Sequence, residues 1–158
     1  MSLKKCGVVL VLLAMMVGAV TASAGAASPS KKIDNKYIIV SGYDEKSIES
    51  IDNAGMVTAL GVYTIAQGQT NGHSKYIGPG CYDYYVDLNW GNSANSLRLT
   101  IIDPSNVVIG TFYDSSDGRI DGRIYLHIIS NTGKPLDVGI YGHFVYGYKV
   151  TGVEDYTI

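Results

Sequence analysis

Cysteine, phenylalanine, tryptophan and proline are all scarce in this 158-residue chain, with two Cys, two Phe, one Trp and four Pro. Cys6 falls in an apolar leader, which leaves Cys81 alone in the remainder. Charge is also sparse, at 16% of residues against 46% hydrophobic, which excludes a solvating disordered chain. No basic excess exists. Setting aside Lys4 and Lys5 with the leader leaves 10 basic and 14 acidic residues, a net charge of −4. A nucleic-acid partner normally requires a basic face, so none is expected. The phosphate-binding G-x-x-x-x-G-K-[ST] loop, the dinucleotide fingerprint and the G-x-S-x-G elbow are all missing. His73, His127 and His143 show neither H-x-H nor H-E-x-x-H spacing, so zinc would need a site assembled by tertiary contacts. No period of 20–50 residues recurs, which excludes a repeat array. A non-catalytic protein is the expectation.

The amino terminus has the layout of an export signal. Lys4 and Lys5 precede an apolar run over residues 6–20, followed by small residues at 22–27. Cleavage after Ala24 or Ala27 fits the small-x-small rule, with Ala27 favoured. An uncleaved anchor is the alternative, although the apolar run is short of the roughly 20 residues that span a bilayer. A leader at 1–27, amino-terminal strands over 28–66 and a β core over 67–158 are expected, with membrane contact only during export.

The remainder is rich in turn and strand formers, with 19 Gly and 13 Tyr. Residues 28–32 read as a flexible leader and 37–40 as a first strand. Residues 44–53 read as a loop or one-turn helix, and 56–66 as one or two strands broken at Gly61. Residues 67–72 read as a polar link. From Tyr82 to Trp90, Tyr82, Tyr84, Val86, Leu88 and Trp90 alternate with Asp83, Tyr85, Asp87 and Asn89. That period of two sends one set inward, with Tyr82 and Tyr84 inward or at the rim, and the other outward. Leu97, Leu99 and Ile101 alternate in the same way, and Pro104 suits the second position of a turn, so 97–113 reads as a hairpin continuing through Val107, Ile109 and Thr111. Ile124, Leu126 and Ile128 mark another strand, residues 138–150 one or two more, and 156–158 the last. Seven to nine short strands without a long helix predict an all-β antiparallel sandwich of jelly-roll or Greek-key type.

The segments YDYYVDLNW, NSLRLTIIDPSNVVIGTFYD, GRIYLHI and YGYKVTGVEDYTI, in that order, resemble the bacterial and archaeal pre-peptidase C-terminal domain family. The resemblance covers about residues 67–158. Residues 97–104 match its hairpin and residues 155–158 its closing strand. It implies a secreted β-sandwich of the kind usually appended to exported proteases and other surface enzymes. No protease domain precedes it in this chain, so a role beside a linked enzyme is not carried over.

Three candidate sites emerge. Asp114, Asp117 and Asp121, with Gly118 and Gly122 between and after them, suit calcium, which prefers clustered oxygen ligands. The spacing is not that of an EF-hand, and a solvated acidic loop neutralised by Arg119 and Arg123 is the alternative. Tyr85, Tyr146 and Tyr148 form a ligand platform if they face outward together, since Tyr offers an apolar ring and a polar hydroxyl. Otherwise they are ordinary sheet residues. Cys81 is either buried and inert or available for an intermolecular disulfide. The expected function is a secreted, cell-surface module binding protein, peptide or glycan. The alternatives are a self-associating structural protein of the cell envelope and an accessory protein acting in trans on a hydrolase.

Overall fold

The computed structural model describes residues 30–33, 36–42 and 61–158. These contain ten strands: β1 (Ser30–Ile33), β2 (Tyr37–Ser41), β3 (Tyr63–Ala66), β4 (Thr70–Ile77), β5 (Asp83–Asn89), β6 (Ser96–Ile102), β7 (Val108–Tyr113), β8 (Arg123–Ser130), β9 (Gly139–Lys149) and β10 (Val153–Tyr156). Every pairing is antiparallel. The strands form three sheets, in the orders β1-β2-β8-β5, β10-β3 and β4-β9-β6-β7. One further bridge, Asn89 to Thr157, ties the end of β5 to the residue after β10. The all-β antiparallel class is therefore the one observed, with more strands than the seven to nine expected. The expected export signal, the 44–53 segment and residues 56–60 lie outside the described residues.

Alternation generates the core. Val86 and Leu88 on β5, Ile124, Leu126 and Ile128 on β8, Leu97, Leu99 and Ile101 on β6, and Val145 on β9 are all buried. They belong to one hydrophobic cluster that draws on all three sheets. Tyr84 of β5 meets Tyr141 of β9 with ring centroids 5.2 Å apart, so inward residues of the two four-stranded sheets touch. Burying each such aliphatic side chain contributes about 1.5–3 kcal/mol. Trp90, just beyond β5, is also buried, and its Nε1 donates to the carbonyls of Asn92 (3.0 Å) and Asn95 (3.2 Å).

The 97–113 hairpin forms as expected, as β6 and β7. Asp103 builds its turn by accepting hydrogen bonds from the backbone N–H groups of Ser105 and Val107, both at 2.9 Å. Its carboxylate also accepts from Lys36 Nζ at 2.7 Å and the Tyr37 hydroxyl at 3.0 Å. Burial alone would raise the pKa of Asp103, but these donors outweigh it and hold the carboxyl below its ordinary value.

Three local expectations are corrected. Residues 30–33 are not a loose leader but pair with β2, because backbone hydrogen bonding needs no apolar pattern. The polar link over 67–72 ends early, since Thr70 already begins an eight-residue strand. In the hairpin, the register slips between Ile101 and Ile102, so Ile109 is an extra residue in β7. Phe112 rather than Thr111 then shares the inward side with Ile109. Tyr82, for which an inward or a rim position was expected, is exposed just before β5.

At the corner between β3 and β4, Gly147 of β9 lies so close that a Cβ would run into the carbonyl of Ala66. Gly147 N–H donates to Gln69 at 3.0 Å and its carbonyl accepts from Gly68 at 2.9 Å. Gly147→Ala must push this corner away, and we expect it to cost roughly 1–3 kcal/mol. A denaturant midpoint equal to the parent's would contradict that packing.

Candidate ligand-binding cleft

Among the described strands, β4 and β5 are each the last of their sheet, and residues of both line one cleft. The register of β4 on β9 places Asn71 opposite Val145, His73 opposite His143 and Lys75 opposite Tyr141. Since Tyr141, His143 and Val145 point into the molecule, their β4 partners share that inward face. Polar side chains therefore stand where a core strand would carry aliphatic ones. They line a cleft of about 1230 Å³ together with residues at the start of β3 and along β5.

His143 forms part of the cleft wall and is only 4% exposed, yet its Nε2 has no hydrogen-bond partner. A buried polar atom left unpaired costs about 1–3 kcal/mol. Burial, reinforced by the charges of Lys75 and His73, pushes the His143 pKa down to about 4. The imidazole is therefore neutral near pH 7. It stacks on Tyr84 at 6.0 Å, whose own buried hydroxyl is also unpaired and whose pKa burial drives upward. His73 Nε2 shares a 2.8 Å hydrogen bond with the Tyr156 hydroxyl, and burial lowers its pKa as well. Tyr63, 41% exposed, packs its ring on His73 at 4.5 Å.

Lys75 completes the group. The residue is exposed overall, and its Nζ donates to the Tyr85 carbonyl at 3.3 Å and sits 5.7 Å from the centre of the Tyr84 ring. Loss of water at that end lowers the pKa of the amine. Among the described residues, Asp87 is the one Asp or Glu lining the cleft, and Arg123 already holds it through two hydrogen bonds of 2.7 Å. The cleft thus offers hydrogen-bond donors and basic groups without a matching acid.

The expected tyrosine platform is divided between sheets. Tyr85 faces outward on β5, stacked on His127 at 4.0 Å, while His127 pairs with Asp83 at 2.7 Å. Tyr146 and Tyr148 share the outer side of β9, in the other four-stranded sheet, where Tyr146 lies under Arg98 at 4.3 Å and Tyr148 meets Tyr113 at 5.0 Å. Cys81 is half-buried and not in a disulfide, and it packs against the core.

The acidic loop is a built structure rather than a solvated one. Residues Asp114–Asp117 form a 3-10 turn in which Asp114 and Asp117 are buried. Asp114 Oδ1 accepts from the N–H groups of Asp121 (3.2 Å) and Gly122 (3.1 Å), and Asp117 Oδ1 from that of Arg119 (3.0 Å). Asp114 Oδ2 and Asp121 Oδ1 are buried without partners. Burial, with some help from the Asp121 charge, raises the pKa of Asp114 above its ordinary value. Among the described residues, no group of three His, Cys, Asp or Glu side chains is gathered as a metal site.

Sequence reasoning missed the cleft because its strand is polar on both sides. The signal available was the spacing of Asn71, His73 and Lys75 at every second position, the period of a strand whose inward face is hydrophilic. No protein-family model matches the chain, and no curated protein or solved structure matches it significantly.

Two outcomes follow from these environments. For His143, the unfolded chain takes up a proton below about pH 6.5 that the folded chain refuses until about pH 4. Stability conferred above pH 6.5 is therefore lost as the pH falls toward 4, by roughly 2 kcal/mol between pH 7 and pH 4.5. Urea midpoints of the parent and His143→Gln should converge over that interval, and parallel curves would refute the assignment. Asp114→Asn keeps the acceptor for Asp121 and Gly122 and puts an amide donor in place of Oδ2. In metal-free buffer it should raise stability by about 1 kcal/mol, read as a melting shift of a few degrees.

Proposed function

We propose that the chain is a secreted, non-catalytic module that binds protein, peptide or glycan at the cell surface, and that the cleft between β4 and β5 is its binding site. The observation that carries this reading is the inward row of β4, where Asn71, His73 and Lys75 line the cleft in place of aliphatic side chains. Convergent polar groups lining a concavity are the usual form of a binding site. The export-type leader and the lack of a basic excess support an extracellular setting.

The finer architecture in this reading is a jelly roll of β3–β10. The pairings support two interleaved four-strand arrays, β3-β10-β5-β8 and β4-β9-β6-β7, once the Asn89–Thr157 bridge joins β10 to β5. Likeness to the pre-peptidase C-terminal domains belongs to the same proposal and rests on the residue pattern alone. Calcium is a further part of it. The two unpaired carboxylate oxygens of Asp114 and Asp121 support a site there, with Asp117 committed to the backbone of its own turn.

A second reading, self-association in the envelope, is favoured by the exposed Tyr76, Ile140, Phe144 and Tyr148 on the sheet containing β9. Pairing through the closing strand has less to recommend it, because β10 has β3 on one side and meets β5 through Thr157.

Hydrogen exchange on the parent, with and without ligands drawn from glycan and peptide arrays, tests the cleft. Ligand-induced protection should fall on β4 and β5. Protection confined to the outer face of β9 would overturn the assignment in favour of that surface. Solution mass with and without reductant decides the second reading: a monomer throughout removes it, along with a role for Cys81 in bridging. Added calcium should raise the melting temperature of the parent but not of Asp114→Asn. Equal shifts in both would retire the metal.

A further inference from the structure

One wall of the cleft is the edge of β5, and most of that edge has no strand beside it. We infer, on the reading that the cleft is the binding site, that this edge takes an extended peptide as an added strand. The peptide runs antiparallel to β5, from Asn89 toward Asp83.

Antiparallel pairing turns the N–H and C=O groups of alternate residues to opposite sides of a strand. On the β8 side, Ser130 N–H donates to the Tyr82 carbonyl and Trp90 N–H to the Gly122 carbonyl, both at 2.9 Å. Even-numbered residues from 82 to 90 therefore turn their backbone groups toward β8. On the other side, Asn89 N–H donates to Thr157 at 3.0 Å, and the Asn89 carbonyl accepts from Thr157 at 2.9 Å. Asp83, Tyr85 and Asp87 face the same way as Asn89, but among the described residues no backbone group pairs with them on that side. Because the Asn89–Thr157 bridge is antiparallel, β10 lies past the end of β5 and leaves the rest of this edge uncovered. The Tyr85 carbonyl is met by a side chain, Lys75 Nζ at 3.3 Å. That contact stands in for the N–H that a neighbouring strand would donate.

Tyr85, Val86 and Asp87 line the cleft, as does Ile158 next to the bridge. By the usual strand spacing, sheet spacing and rise, five residues of added strand occupy roughly 800 Å³. The cleft holds about 1230 Å³. Other strand edges are less receptive. β7 is bulged, β1 carries Lys31 and Lys32, and β4 turns Lys75 inward, all of which discourage pairing. The charges on β5 are already occupied, Asp83 by His127 and Asp87 by Arg123. Strand addition draws affinity from main-chain hydrogen bonds and specificity from alternate side chains. The inward side chains of the peptide share the cleft with Asn71, His73 and Lys75, which suits acidic and amide residues at every second position.

Random octapeptides displayed on phage and selected on the full chain supply the probe. The tightest is synthesised unmodified, N-methylated at its odd positions and N-methylated at its even positions. One methylated form should bind within about threefold of the unmodified peptide, and the other at least tenfold more weakly. In the protein, Tyr85→Ala keeps the backbone N–H and Tyr85→Pro removes it, at an edge position where proline is tolerated. Both lose the ring, so a tenfold weaker affinity in Tyr85→Pro than in Tyr85→Ala isolates the N–H. Should Tyr85→Pro fail to fold, the methylation parity alone decides. On the parent, amide exchange at Asp83, Tyr85 and Asp87 should be fast without the peptide and slow with it, while Tyr84 and Val86 stay slow throughout. Equal weakening by both methylation patterns, or protection of β5 without this alternation, would overturn strand addition and leave the cleft with another mode of binding. A selection that yields no binder at roughly 1 mM would overturn the peptide, and glycans alone would then decide the cleft. Protection confined to the outer face of β9 would bring down both readings.

Discussion

Everything in this molecule depends on the interlocking of aliphatic side chains from its two four-stranded sheets. Leu97, Leu99 and Ile101 on one side and Ile124, Leu126 and Ile128 on the other are sealed from water. Their burial fixes register, because a slip of one residue would turn each row to solvent. With the centre held this way, the margins are free to carry polar groups. Two of the buried acids, Asp103 and Glu154, show how the fold satisfies such groups. Asp103 is surrounded by donors and serves a turn. Glu154 takes the amides of Asn92 and Asn95. These groups are satisfied and need nothing further.

The β4 edge follows a different rule. There the inward row changes from aliphatic to Asn71, His73 and Lys75, and satisfaction becomes incomplete. Such a row contributes little to stability and leaves the strand end open to a cleft. The contrast between Asp103 and His143 separates a polar residue that its neighbours satisfy from one that they do not. Both are buried, but only His143 retains an atom with nothing to bond.

What could be read from the residues followed the strength of the alternation. β5, β6 and β8 carry unbroken two-residue periods, and their inward faces are the ones expected. The hairpin turn was also legible, since Asp103 and Pro104 have local preferences that need no tertiary help. The phase of β7 was not, because a bulge depends on how two strands meet. β1 was illegible for a related reason: its place is set by backbone pairing with β2. The candidate site was hidden most completely. A strand facing a polar cleft lacks the apolar rhythm by which strands are recognised. The grouping of the tyrosines could not be foreseen either, since Tyr85 and the Tyr146–Tyr148 pair share outward parity but stand on different sheets.

Trp90 is the only tryptophan in the chain, and it is enclosed beside β5 with its indole N–H occupied by two carbonyls. It is not among the residues that line the cleft. Its fluorescence is therefore a built-in gauge of global unfolding, with emission shifting to the red when the barrier of side chains around it opens. Filling the cleft should leave that signal almost still, so one cuvette can distinguish a ligand that settles into the native protein from one that takes it apart.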